Sequence, residues 1–248
     1  MTASAGIAGV AGLSAAQRAC FERDGFLAVP GVFPAAELQE LDRELDRLIA
    51  IPGNEAGGNR AGWIYAVAGR SEQAARFAED ERLLAMLEGL VYPGISIHSS
   101  KLVTKLPRSN DICHWHQDEA FYTKPDDPDT FAARRMSVWV PLQDTDEYNG
   151  CLWVVPGSHR WGMEDWTLQQ TGTCQRRLNR LDYANDHAVP LPVQSGTVVL
   201  FSAWTWHHSK ENQTDSIRRA FIVSYQEATV AHGAGDQGKV LRPAPLRG

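Results

Sequence analysis

The sequence predicts a mainly β protein with helical decoration, folded as a sandwich or barrel. Amphipathic helical patterns are confined to the N-terminal part, and short apolar runs separated by Gly, Pro, Asn and Asp follow them. No helix-length pattern lies between most of these runs. The chain has 248 residues, of which 43% are hydrophobic, and this suits one globular core. We therefore expect a single domain that covers residues 1–248.

The N-terminal part is predicted to be largely helical. Ser14 and Gln17 form a capping-box pattern, which begins a helix that ends near Gly25. A short strand follows, and apolar residues at helical spacing then predict an amphipathic helix that needs a scaffold. A Gly-rich stretch before the last helix is typical of a mobile loop. In chain order, these elements are expected at residues 14–25, 26–29, 34–51, 52–69 and 71–90.

Five strand-like runs follow, each bounded by turn residues. They are Ile95–Leu106, Met136–Leu142, Leu152–Val155, Val198–Ser202 and Ala220–Gln226. The polar segment 161–187 is either a lid over a site or a plain surface loop. Residues 1–12 and 232–248, which are rich in Gly and in Ala or Pro, are expected to be flexible.

Composition excludes several classes of protein. The chain has 24 Lys plus Arg against 30 Asp plus Glu, and the net charge of −6 argues against a nucleic-acid binder. No transmembrane helix is expected, and the first basic residue, Arg18, follows the N-terminal apolar stretch, which is wrong for a signal peptide. The four cysteines form no CxxC pair and suggest neither a zinc ribbon nor a disulfide framework. We therefore expect a cytoplasmic protein.

His116, Asp118 and His207 form a candidate metal site. The first two flank one residue just after a strand-like run, and alternate residues of an extended backbone point the same way. Two imidazoles and one carboxylate are the facial triad of ferrous oxygenases. An HxD pattern alone is weak support for such a site.

The residues after His207 strengthen this interpretation. Arg218 follows eleven residues later, and its planar guanidinium can form a bidentate pair with the distal carboxylate of a dicarboxylic acid. Ser209 can share that carboxylate if the strand stays extended. These three side chains predict one wall of a cosubstrate pocket.

Several ordered motifs together resemble the phytanoyl-CoA dioxygenase family of iron(II)/2-oxoglutarate oxygenases, which includes ectoine hydroxylase. The similarity covers nearly the whole chain. The family fold is a double-stranded β-helix, or jelly roll, which agrees with the strand pattern. The matching motifs are Phe21–Phe33, Trp115–Asp118, Asn149–His159, and His207-x-Ser209 with Asn212 and Arg218.

The resemblance implies a role for seven residues. Three would bind iron: His116, Asp118 and His207. Four would contact 2-oxoglutarate: Arg218, Ser209, Trp139 and, by a looser match, Lys101. His208 stands where a glycine is common in the family, but taking it as the ligand would shift its spacing to Ser209, Asn212 and Arg218 by one residue.

The expected function is hydroxylation of an unactivated C–H bond of a small metabolite, with Fe(II), 2-oxoglutarate and O2 as cofactors and succinate and CO2 as coproducts. Asp118 fills the position that halogenating relatives leave open for chloride, which disfavours halogenation. Desaturation or oxidative cyclisation, a non-catalytic jelly-roll binding protein, and a cupin isomerase or hydrolase remain alternatives. A monomer or homodimer is expected, with no nucleic-acid or membrane partner.

Substrate contacts are harder to predict. Arg135 shares a strand face with Trp139 and either meets an acidic substrate group or is solvated. His98 lies on the strand of Lys101, near the expected pocket. Four aromatic residues either line an aromatic lid or pack in the core, namely Trp63, Tyr65, Phe121 and Tyr122.

Overall fold

The computed structural model describes residues 12–54, 61–122, 135–230 and 238–245. Two antiparallel sheets face each other, and helices cover the outer face of the larger sheet. This arrangement is a jelly roll with helical decoration and confirms the predicted fold class. The two inner faces supply the side chains of the candidate site.

The larger sheet has seven strands, in the order β1-β10-β5-β12-β3-β13, with the short β2 paired to β3. The central pairing is the longest, because nine residues of β12 pair with β3. The bounds are β1 Phe26–Val29, β2 Ile64–Tyr65, β3 Ile95–Lys105, β5 Arg135–Pro141, β10 Val198–Ser202, β12 Arg218–Gln226 and β13 Val240–Arg242.

The smaller sheet has four strands, in the order β4-β11-β6-β9, and a separate hairpin joins β7 to β8. The sequence patterns missed β4 and β11 because neither contains an apolar run, yet they carry the histidine ligands. The bounds are β4 Cys113–His116, β6 Leu152–Val154, β7 Trp166–Leu168, β8 Arg176–Leu178, β9 Val189–Leu191 and β11 His207–Ser209.

Six α-helices complete the described chain, and the first two are those that the sequence predicts. The capping box is present, since Ser14 accepts from the Gln17 amide and the Gln17 side chain accepts from the Ser14 amide. Gly25 ends that helix at φ 81°, which glycine adopts without strain. The bounds are α1 Ala15–Asp24, α2 Ala35–Ile49, α3 Glu72–Ala78, α4 Glu81–Leu87, α5 Glu119–Tyr122 and α6 Leu181–His187.

Helix α2 packs on the outer face of the larger sheet. Four buried leucines on one face of this helix belong to the main hydrophobic cluster. The burial of each contributes about 1.5–3 kcal/mol to the stability of the fold. Arg219 of β12 pairs with Asp42 and Asp46 of this helix at 2.9 and 2.7 Å. The helix therefore braces the strand whose other face carries Arg218. The four leucines are Leu38, Leu41, Leu45 and Leu48.

Two expectations need correction, one for the N-terminal part and one for the C-terminal tail. The helix expected at 71–90 is two helices, because the Asp80 side chain accepts from the Arg82 amide and begins a second helix. The tail expected to be flexible contains β13, which pairs with β3. Residues 1–11, 231–237 and 246–248 of the expected flexible ends lie outside the described residues.

Cys113 and Cys174 form a disulfide, which the scattered cysteine spacing did not predict. It joins β4 to the loop before β8 across 61 residues of sequence. Backbone hydrogen bonds run beside it, from His114 to Thr173 and from Thr173 to Ile112. Part of the segment 161–187 is therefore held at the candidate site.

Within the described ranges, no helix has the length and apolar character that a membrane span requires.

Candidate metal and cosubstrate site

The two sheets bring the three predicted metal ligands together. His116 ends β4, and His207 begins β11 directly opposite it in the antiparallel pairing. Asp118 lies in the turn that leads into α5, where its carbonyl accepts from the Phe121 amide. The first histidine and the aspartate thus meet through a strand-to-helix turn, and not through the extended backbone that the sequence suggested.

The donor atoms of this cluster can face one ion. Asp118 Oδ1 lies 3.6 Å from His116 Nε2 and 3.8 Å from His207 Nε2, and all three side chains are buried. His116 Nδ1 lies 2.7 Å from the carbonyl of His114, and His207 Nδ1 lies 2.8 Å from that of Thr205. Because each Nδ1 therefore carries the proton, both Nε2 atoms are free to bind a metal.

The electrostatics of the cluster favour a cation. Burial alone would raise the pKa of Asp118, but the charge of Lys101 and the two adjacent histidines outweigh it and lower that pKa. Burial, together with repulsion from His116, lowers the pKa of His207 to about 3. The cluster therefore presents one carboxylate and a neutral His207 at neutral pH.

His208 points away from the cluster. Its ring stacks on Trp115 with centroids 4.1 Å apart, and burial lowers its pKa to about 3. This geometry supports His207 as the candidate ligand of the pair.

A chain of hydroxyl groups holds the second oxygen of Asp118. Ser137 donates to Asp118 Oδ2 at 2.5 Å, so its single proton is used. Ser224 lies 3.1 Å from Ser137 and must donate to it, and Tyr122 must then donate to Ser224 across 2.8 Å. The chain leaves Oδ1 as the oxygen that faces the two histidines.

Arg218 lies in an inner cavity of about 60 Å³ that also contains the three metal-binding candidates. Its Nη2 donates to the Gly150 carbonyl at 2.8 Å, whereas Nη1 is buried without a hydrogen-bond partner in the described chain. Burial lowers the pKa of Arg218 to about 10, so the guanidinium stays charged. A buried charged donor with an open position suits a carboxylate.

The other predicted cosubstrate contacts line the same inner cavity. Ser209 and His207 share one face of β11, as the alternation predicted, and Trp139 lies with its ring centroid 5.9 Å from Arg218 Cζ. Lys101 hydrogen-bonds to Tyr122; although burial opposes it, attraction to Tyr122 and Asp118 raises the pKa of this amine.

Lys105 is a cavity residue that the sequence analysis missed. Its amine donates to the Asp111 carbonyl at 2.7 Å, and burial together with Arg218 lowers its pKa to about 7. The signal was available, because Lys105 lies four residues after Lys101 on one strand and therefore shares its face.

An outer cleft of about 400 Å³ opens beside the metal cluster. It shares Lys101, His116, Asp118 and Trp63 with the inner cavity, so the two spaces meet at the candidate metal position. All four aromatic residues of the predicted lid line it, together with His98 and Cys174. The segment 161–187 thus contributes to the wall.

Arg135 lies behind the cleft residue His98 and shares the Gln226 side-chain oxygen with it. It is 3% exposed and forms an ion pair with Glu119, which is fully buried. The solvated alternative is wrong for this position, and Arg135 is not among the residues that line the cleft. Sequence reasoning also missed Glu119 and the hydroxyl of Ser224, since each acquires its role only from cross-strand neighbours.

Comparison with known proteins identifies the family to which the chain is similar. The phytanoyl-CoA dioxygenase (PhyH) family matches residues 21–220. The ectoine dioxygenase of Sphingopyxis alaskensis is 30% identical over 234 residues, which are 85% of this chain and 75% of that protein. The crystal structure of EctD from S. alaskensis with bound Fe superposes with a TM-score of 0.75 at 26% identity, over 94% of this chain and 86% of that one.

A second EctD structure, with 2-oxoglutarate and 5-hydroxyectoine, gives a TM-score of 0.74 at 26% identity and covers 95% of this chain and 83% of that one. The carbocyclase SnoK from nogalamycin biosynthesis shares the fold, with a TM-score of 0.71 at 22% identity over 87% of this chain and 85% of that one. The protein is accordingly a 2-oxoglutarate-dependent non-haem iron oxygenase, with Fe(II), 2-oxoglutarate and O2 as cofactors. The chain belongs to the phytanoyl-CoA dioxygenase family.

Proposed function

We propose that this oxygenase hydroxylates an unactivated C–H bond of a small molecule and forms succinate and CO2 from 2-oxoglutarate. The observation that carries the proposal is the meeting of two spaces at the His116, Asp118 and His207 cluster: an inner cavity that contains Arg218 and an aromatic outer cleft. The enzyme would act as a monomer or homodimer, with no nucleic-acid or membrane partner.

The residues present fit an iron site. His116 Nε2, Asp118 Oδ1 and His207 Nε2 would supply the three donor atoms that hold the ion. Ser137 would keep Asp118 a one-oxygen ligand by holding Oδ2. Bound ferrous iron supplies the activation of O2 that the amino-acid side chains lack.

The side chains that line the inner cavity suit 2-oxoglutarate. Arg218 would pair with the distal carboxylate through the open Nη1, and Ser209 would donate a second hydrogen bond. Trp139 would pack against the carbon chain, and Lys101 would add positive charge where the two spaces meet. The burial of these groups would exclude water and strengthen each electrostatic contact.

The outer cleft would hold the substrate beside the metal position. Trp63, Phe121 and Tyr122 would form its aromatic walls, and His98 would add one polar contact. Arg135, paired with Glu119 behind the cleft, would support it without touching the substrate. Asp118 occupies the position that a halide would need, which favours hydroxylation over halogenation.

The test is a screen of metabolites for stimulated succinate release, followed by mass spectrometry of each consumed compound. A product heavier by one oxygen atom supports the proposal. A product lighter by two hydrogen atoms would show desaturation or cyclisation, and binding of a metabolite without succinate release would show a binding protein.

The role of Arg218 can be tested without the substrate. Anaerobic addition of Fe(II) and 2-oxoglutarate should give a visible charge-transfer band, and His116→Ala or Asp118→Ala should abolish it. Arg218→Met should weaken 2-oxoglutarate binding by at least tenfold, because hydrogen bonds to a charged partner contribute about 1.5–3 kcal/mol each. Iron affinity should stay within about twofold, and an unchanged 2-oxoglutarate affinity would exclude this role.

A further inference from the structure

We propose that His98 is a hydrogen-bond acceptor in the outer cleft and that the substrate presents a neutral hydroxyl group to its Nε2 atom. This inference rests on the proposed function, because it takes the outer cleft as the substrate site. Four observations carry it: the position of His98 on a β-bulge, the orientation of Gln226, the charge state of the imidazole and the composition of the cleft walls.

A bulge between β3 and β12 places His98 at the cleft. Ser224 pairs with Ser99 and Tyr225 pairs with Ile97, so His98 is the extra residue on its strand. Its ring lies 4.3 Å from that of Tyr122, centroid to centroid, and both side chains line the cleft. The bulge therefore keeps this residue on the inner face, where regular alternation would have turned it outward.

Neighbouring groups determine which nitrogen of His98 carries the proton. The Gln226 amide donates through Nε2 to the Val230 carbonyl at 3.1 Å, and its Oε1 accepts from Arg135 Nε at 3.3 Å. His98 Nδ1 lies 3.1 Å from this same Oε1. Because arginine keeps its protons and two acceptors cannot pair, His98 must be protonated at Nδ1. Its Nε2 then carries a lone pair.

The imidazole is neutral at physiological pH. Burial and the nearby Arg135 lower the pKa of His98 to about 4, although the hydrogen bond to Gln226 opposes them. Outside the undescribed segments, no side chain or backbone group is placed to donate to Nε2. A partly buried acceptor facing a cleft is a position that a ligand donor can fill.

The surroundings favour a hydroxyl group over an ammonium group. Arg135 and Lys101 both place positive charge near His98 and lower its pKa, and the opposing effect of Asp118 is smaller than either. A cationic donor would meet this field unfavourably, whereas a neutral hydroxyl would not. The aromatic walls beside His98, above all Tyr122 and Phe121, suit an apolar face next to that hydroxyl. The substrate class is therefore a neutral compound with a hydroxyl group attached to an apolar ring or chain.

The first experiment measures the tautomer directly. Nitrogen-15 NMR of histidine-labelled, metal-free protein should show His98 with Nδ1 protonated and Nε2 bare. Gln226→Leu should shift the ring towards the Nε2-protonated form, whereas Gln226→Glu keeps an acceptor and should retain the original tautomer. His187→Asn, at an exposed position of α6, is the control for resonance assignment. A wild-type ring protonated at Nε2 overturns the proposal.

The second experiment measures recognition with a defined pair of probes, cyclohexylmethanol and its methyl ether. The alcohol should move the His98 Nε2 resonance and bind about three- to tenfold more tightly than the ether, the range expected of one neutral hydrogen bond. His98→Phe, which keeps the ring and loses the acceptor, should remove the difference. Equal affinities in the wild type, or no binding of either compound, overturn the proposal.

These measurements need neither iron nor 2-oxoglutarate. If the wild-type protein gives no charge-transfer band but His98 is protonated at Nδ1, the result counts against the oxygenase site alone. If the band forms but His98 is protonated at Nε2, the result counts against the acceptor role of His98 alone.

Discussion

Ser137→Ala tests whether the hydroxyl chain behind Asp118 controls iron binding. Ser137 is fully buried and donates to Asp118 Oδ2 at 2.5 Å. The substitution removes that donor and also leaves the Ser224 proton without its acceptor. A hydrogen bond to a charged group contributes about 1.5–3 kcal/mol, and changes behind a metal ligand weaken metal binding by about 10- to 100-fold. We therefore expect the Kd for Fe(II) to rise at least tenfold.

The assay is an anaerobic titration of Fe(II) at saturating 2-oxoglutarate, followed by the charge-transfer band. Ser224→Ala, one step farther along the chain, breaks only neutral hydrogen bonds and should raise the Kd about two- to fivefold. Ser100→Ala is a matched control, because that buried serine accepts from the Ala68 amide. An iron affinity of folded Ser137→Ala within twofold of the wild type would refute the reasoning.

The remaining predictions concern four separate residues. Lys105 has a pKa lowered to about 7, so its amine loses its positive charge as the pH rises through 7. The affinity for 2-oxoglutarate, measured by calorimetry, should therefore fall between pH 6 and pH 9. Lys105→Met should show no such pH dependence. His208→Phe keeps the stack on the neighbouring tryptophan and should bind iron within about twofold of the wild type; loss of the band would reverse the choice of ligand. Cys174→Ser opens a 61-residue loop, whose closure is worth about 4 kcal/mol, and should lower the Tm by about 10 °C. Cys20→Ser, a free cysteine, should leave the Tm unchanged, and equal Tm values for both variants would contradict the stabilising role of the disulfide.

Short-range patterns predicted much of the fold. Each of these patterns lies within one short segment of sequence. They are the leucine spacing of α2, the capping box at Ser14 and the apolar runs of β3, β5 and β12. Strands β4 (Cys-His-Trp-His) and β11 (His-His-Ser) lack the apolar run that revealed the equally short β1 and β6. These are the strands that carry the two histidines, so their chemistry revealed them and their pattern did not.

Contacts between residues on different strands could not be predicted from the spacing of residues in the sequence. Arg135 looked like a solvated or substrate-facing residue, yet it pairs with the buried Glu119. Cys113 and Cys174 looked unrelated, yet the loop before β8 returns to β4 and joins them. In each case the partner is set by how the strands pair and how the loops return, which no local window of sequence contains.

By itself the sequence indicated the kind of chemistry: two imidazoles, one carboxylate and one arginine, in motifs that resemble those of the iron and 2-oxoglutarate oxygenases. Only the tertiary structure decided how these groups are held. The pairing of β4 with β11 sets His116 opposite His207, the hydroxyl chain from Tyr122 selects the free oxygen of Asp118, and the bulge turns His98 into the cleft. The physical reason is that residue chemistry is a local property, whereas the direction of a hydrogen bond depends on which strands lie side by side.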